Sequence, residues 1–97
     1  MSKLKVIYSG EDESSVVKSA IEAEIRRLEI GLNKTDKEIK KFEEKYSVTS
    51  RVFLERLSAE DLKGGDRDYI QWSGELKIRE RILDALKKLK DIEYVAN

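Results

Sequence analysis

From Ile21 onward the apolar positions Ile25, Leu28, Leu32, Ile39, Phe42 and Tyr46 follow a spacing of 4 and 3, with Thr35 completing the series. That spacing marks one face of a helix and, sustained over more than three heptads, a coiled-coil seam. The pattern predicts one long helix over residues 12–46, with Glu11, Asp12 and Glu13 at the positive end of its dipole and Ser14 or Ser15 as cap. With Ile25 as position a, the polar Thr35 falls on d, where it fixes register at a cost in stability. So narrow a stripe must be buried against another helix. Charged pairs Glu22–Arg26, Lys34–Glu38, Asp36–Lys40 and Lys40–Glu44 line the wet faces. A weaker second stripe, Val16, Ala23 and Ile30 beside Gly31, reads either as tolerated surface residues or as a second contact face for a partner or another copy.

Residues 68–93 predict a second long helix, with Asp68 and Gln71 as a capping box. Its apolar set forms two tracks, Leu76-Leu83-Leu86 and Ile78-Ile82-Ala85-Leu89-Ile92. That face is too wide for a single partner helix. Between the long helices lies a short helix over 50–57, entered through Thr49 as cap, with Val48 and Phe53 at hydrophobic-staple spacing. Ser58 then starts one further turn through Asp61, anchored by Leu62 and ended by Gly64-Gly65, so that residues 50–62 form a helix and turn. Residues 1–10 are a tail or arm. Its stretch Lys3–Tyr8 is β-prone and reads either as a frayed end or as a strand that adds to a partner. The expected fold is a single all-α domain: an antiparallel long-helix hairpin, coiled-coil-like, with a short connecting helix and a short N-terminal strand or arm.

Composition sharpens the functional reading. Ala, Glu, Lys, Arg and Leu make up 48 of 97 residues, a long-helix composition. The 20 basic and 20 acidic residues cancel, which argues against nucleic-acid binding driven by bulk charge. There is no Cys and no His, so thiolate chemistry and the commonest general base and metal ligand are missing. The expectation is no enzyme, no catalytic residues, no cofactor and no metal. No run of about 18 apolar residues suggests a membrane span, and the Val6-Ile7-Tyr8 stub is too short for a signal-peptide core, so a cytoplasmic protein is expected.

The candidate chemical motifs are better explained structurally. Gly64-Gly65-Asp66 reads as helix stop and cap rather than as the start of a nucleotide-cyclase signature. Glu60, Asp61, Asp66 and Asp68 lack the ordered ligand series of a calcium loop. Glu43 and Glu44 point to different helix faces. Lys87, Lys88 and Lys90 suit a helix C-terminus and carry no aromatic platform for nucleic acid. The candidate binding residues are therefore apolar: Tyr69 and Trp72 as corner fillers or interface anchors, and Ile78, Ile82, Leu89, Ile92 and Ile30 as surface left over for a partner.

Three segments carry a resemblance: Phe42-Glu43-Glu44-Lys45-Tyr46-Ser47-Val48-Thr49-Ser50, then Phe53-Leu54-Glu55-Arg56-Leu57, then Gly65-Asp66-Arg67-Asp68-Tyr69-Ile70-Gln71-Trp72. Over residues 42–75 the chain resembles small prokaryotic antitoxin-like helical proteins encoded beside a ribonuclease-like toxin. Those combine a long helix ending in Phe-Glu-Glu-Lys-Tyr-Gly, a Ser/Thr-capped short helix with a Phe, and an acidic loop leading to an aromatic pair ending in Trp. Ser47 stands where that pattern has Gly. The resemblance implies a chain that binds and blocks a small toxin and performs no catalysis. The alternative from the seam pattern is a homo-oligomeric coiled-coil scaffold or chaperone-like protein.

Overall fold

The computed structural model describes residues 3–57 and 59–97. Its elements run β1 (Lys5–Tyr8), α1 (Glu11–Tyr46), α2 (Ser50–Arg56), a 3₁₀ turn (Ala59–Asp61), α3 (Gly65–Lys90) and β2 (Glu93–Ala96). α1 and α3 form the long-helix hairpin that the seam demanded, and Ile39 and Thr35 are buried in it. The molecule measures 58 × 25 × 18 Å, with a radius of gyration of 18.7 Å. A compact chain of this length would have about 12.5 Å.

The core is concentrated at the closed end. Trp72 and Phe53 are wholly buried and, with Leu62, form a cluster against which Phe42, Tyr46, Val48, Leu57 and Leu76 pack. The Trp72 ring stacks on Phe53 with centroids 4.0 Å apart, and Phe42 and Tyr46 lie stacked at 5.6 and 5.8 Å. The indole N–H donates to Ser50 Oγ at 3.0 Å. Thr49 caps α2 as its spacing predicts, accepting from the Val52 amide at 3.2 Å. The Glu43 carboxylate accepts the neighbouring Ser50 amide at 2.8 Å. Between α1 and α2 the chain reverses through Ser47 at φ 53°. This left-handed conformation costs a residue with a Cβ about 1–2 kcal/mol.

Three expectations are corrected. α1 begins at Glu11 with Gly10 preceding it, and no side chain caps it. Ser14 is buried in the first turn and its hydroxyl donates back to the Glu11 carbonyl at 3.2 Å. α3 begins at Gly65, not Asp68, so the Asp68/Gln71 capping box does not form. It ends at Lys90, not 93, because the residues after Asp91 go into a strand. The short helix, ending at Arg56, and the separate 3₁₀ turn at Ala59–Asp61 stand as expected. The turn's expected start, Ser58, lies outside the described residues.

The third correction concerns the first residues, whose strand forms as expected but with a partner in this same chain. β1 neither frays nor waits for a partner. It pairs in parallel with β2, Lys5 opposite Glu93 and Tyr8 opposite Ala96. Tyr8 and Tyr94 face α1, where the Lys18 ammonium lies 5.7 and 5.0 Å from their ring centroids. This two-stranded sheet lies at the open end of the hairpin, and Ile92, just before β2, is buried.

Candidate docking face

On α1, Glu24, Leu28, Gly31, Glu38 and Phe42 recur at helical spacing and share one side. On α3, Gly74, Ile78, Ile82, Ala85 and Leu89 do the same. The two stripes meet along one face of the hairpin and leave two shallow hollows. One, about 530 Å³, is floored by Leu28, Ile82, Ala85 and Leu89 and rimmed by Glu24, Arg27, Arg81 and Lys88. The other, about 370 Å³, lies between Phe42, Ile70, Gly74 and Ile78, with Lys34, Glu38, Gln71 and Glu75 around it. A third hollow on the outer side of α1 joins Ile30 to Lys34, Lys37 and Lys41. Gly31 faces α3 here: a Cβ at this position would lie 3.5 Å from Ile82 Cδ1, at ordinary contact distance.

The opposite side is built differently. Glu29 and Asp36 are seven residues apart and lie across α1 from Arg27 and Lys34. They bridge to α3 through Glu29–Lys90 at 3.6 Å and Asp36–Arg79 at 2.8 Å. One face of the hairpin is thus tied by ion pairs and the other presents apolar floor.

That floor sits among charges of both signs. Among the described residues lining the two hollows of this face are four cations, Arg27, Lys34, Arg81 and Lys88, and three anions, Glu24, Glu38 and Glu75, whereas Lys37 and Lys41 line only the outer hollow. Glu24 is bonded to Arg27, and Glu38 to Lys41. Lys88 pairs with Asp84. Lys34, Lys37 and Arg81 stand in no ion pair among the described residues.

The candidate residues divide on this geometry. Ile78, Ile82 and Leu89 line the hollows, and Ile30, 73% exposed, stands beside them. Tyr69 is partly exposed and packs its ring against Phe53 at 5.3 Å. Of its two readings Trp72 takes the corner-filling one and not the anchor: it is fully buried against the corner aromatics and has no surface to offer. Ile92 is likewise buried, and it lies beyond α3 rather than on its exposed track. Missed as contributors to this face were Ile70 and Gly74. Their spacing of four to Ile78 continues the same stripe and was the available signal.

At the corner, Asp68 is buried and bonds across the hairpin. Its carboxylate accepts from Lys45 Nζ at 2.6 Å and from the Tyr46 hydroxyl. The Tyr46 oxygen in turn accepts the Gly64 amide at 3.0 Å. A Cβ at Gly64 would overlap the Asp68 carboxylate, so the clasp requires glycine there. The bond from Lys45, then that from Tyr46, holds the Asp68 carboxyl below its ordinary 3.8. A carboxyl depressed on folding contributes stability above its unfolded pKa and loses it as pH falls through the folded value. Stability should therefore drop below about pH 4. Asp68→Asn should melt earlier at pH 7, and its deficit relative to the parent should shrink on acidification. Parallel thermal melts between pH 2 and 7 check this; a pH-independent difference would remove the Asp68 charge as the cause.

No family model, no curated protein and no solved structure matches the chain. Among the described residues no helix is long and apolar enough to cross a membrane.

Proposed function

We propose that the chain is a non-catalytic, antitoxin-like protein-binding module that neutralises a small toxin by holding it on the apolar face of the hairpin. The observation that carries this reading is the contrast between the two faces. The ion-paired side is complete in itself, whereas the floor of Leu28, Ile82, Ala85 and Leu89 is left open beside exposed Ile30, Ile70 and Ile78. Contiguous apolar surface rimmed by polar groups is the usual mark of an interaction site. The resemblance over residues 42–75 supports the same reading. Its residues build the corner that sets the two helices side by side: Phe42, Tyr46, Phe53, Asp68 and Trp72.

The test is capture and rescue. The tagged chain is recovered from its native lysate, and proteins held at equal stoichiometry are identified. The captured protein is then expressed with and without the chain. Growth arrest by the captured protein, relieved by the parent chain and not by Ile82→Glu, is the expected result. A far-ultraviolet spectrum must show that the variant remains folded. Recovery of the chain alone, at a multiple of 11.3 kDa, would replace this reading with a homo-oligomeric scaffold.

A further inference from the structure

The charges that the open face leaves unmatched are of both signs. In the hollow toward the open end, Arg27 holds Glu24 and Lys88 holds Asp84, which leaves Arg81. In the hollow toward the corner, Glu38 bonds Lys41 through Oε1, and Lys34 and Glu75 remain. Lys34, Glu75 and Arg81 stand in no ion pair among the described residues. Such a face can complement its own copy turned end for end, since a two-fold axis sets each residue against a different one and repeats the pair.

The two helices fix where that axis falls. Asp36 bonds Arg79 across the hairpin, so the middle of the Lys34–Glu38 pair stands level with Ile78. Lys34 and Glu38 lie about 3 Å along α1 on either side of that level, and Glu75 and Arg81 about 4.5 Å along α3. A two-fold axis crossing the face there sets Lys34 of one copy level with Glu38 of the other, and Arg81 level with Glu75. The same operation brings Ile82 level with Gly74, where a Cβ would meet nothing within 4 Å. Ile78, 42% exposed, meets its own copy on the axis. The hairpin also has area for this contact. Its accessible surface is 7471 Å², whereas a compact monomer of the same mass would expose about 5,700 Å². The excess exceeds the roughly 800 Å² that each copy contributes to a standard interface.

We propose that a second copy of the chain covers this face, antiparallel and face to face, with the two-fold axis at Ile78. α1 then lies on α1 and α3 on α3, as a four-helix bundle. Ile82 of each copy fills the space over the bare backbone of Gly74 in the other. The Lys34–Glu38 and Arg81–Glu75 pairs each form twice. The dimer stands on the geometry of the face itself. A toxin held on the same face would take the place of one copy, so the dimer is the form in which the free chain keeps its apolar floor covered.

Size-exclusion chromatography with light scattering on the full chain tests it. The parent should run at twice 11.3 kDa, and added salt should loosen it. Ile78→Glu and Ile78→Lys each set like charges across the axis, so each should run as a monomer, and an equal mixture of the two should return the dimer. Lys34→Glu opposes Glu38 of the other copy twice and should raise the dissociation constant at least tenfold. The double reversal Lys34→Glu/Glu38→Lys should restore it. Far-ultraviolet spectra like the parent's show that the variants remain folded. A parent mass of 11.3 kDa at every concentration overturns the proposal. So does a dimer that survives Ile78→Glu, one indifferent to Lys34→Glu, or one that the double reversal fails to restore. A dimer with the expected responses in a chain that relieves no growth arrest keeps the proposal and loses the antitoxin role. A monomer that relieves arrest loses the proposal and keeps that role.

Discussion

Trp72→Ala will cost the protein about 3–5 kcal/mol, the range for truncating a buried aromatic. At roughly 4–8 °C per kcal/mol for a domain of this size, the melting temperature should fall by about 15–30 °C. Trp72 is the hub of the corner. It stacks against Phe53, Phe42 and Tyr46, drawn from α2 and α1, and its indole N–H holds Ser50. Removing the ring empties the only place where three helical segments meet among the described residues. Trp72→Phe keeps part of the stack and loses the bond to Ser50 Oγ, so it should fall between the parent and the alanine variant. Thermal denaturation followed by circular dichroism makes the comparison. An alanine variant that melts within a few degrees of the parent would contradict the assignment of Trp72 as core.

Ile39→Asp should destabilise by about 5 kcal/mol, combining loss of a buried aliphatic side chain with burial of an uncompensated charge. Ile39 is 7% exposed, midway along the seam, where α1 meets α3. Ile30→Asp is the matched control. It introduces the same charge on the same helix at a position 73% exposed, and should stay within about 0.5 kcal/mol of the parent. Urea titration of both variants gives the difference directly. If the two behave alike, the seam register is wrong.

These contrasts show which parts of the fold a reading of residues reaches. The stripe through Ile25, Leu32 and Ile39 has helical period over its whole length, and only a long helix places those side chains together. Ile78, Ile82 and Leu89 were legible as surplus for the same reason: the second helix carries more apolar width than one partner covers. β2 was not legible. Ile92 continues the spacing of Leu89, so locally it reads as helix, and the strand that claims the next residues begins at Lys5 at the far end of the chain. Asp68 failed similarly. An aspartate after Gly64-Gly65 has the local signature of a cap, and it becomes a buried acceptor only because the hairpin brings Lys45 and Tyr46 alongside. Trp72 stood between core and anchor until the corner enclosed it. Pairings distant in sequence decide each case, and periodicity does not encode them.

The parallel pairing of β1 with β2 has a consequence for the order in which the molecule assembles. Joining residue 5 to residue 93 in an open chain closes a loop whose entropy cost is about 4 kcal/mol, far more than four paired residues in an isolated two-stranded sheet return. Once α1 and α3 have zipped together, both strands are already delivered to the same end and most of that cost has been met. The sheet is therefore a late clasp on a preformed hairpin, the first structure released when the helices part. A protease that trims either terminus unfastens the other as well.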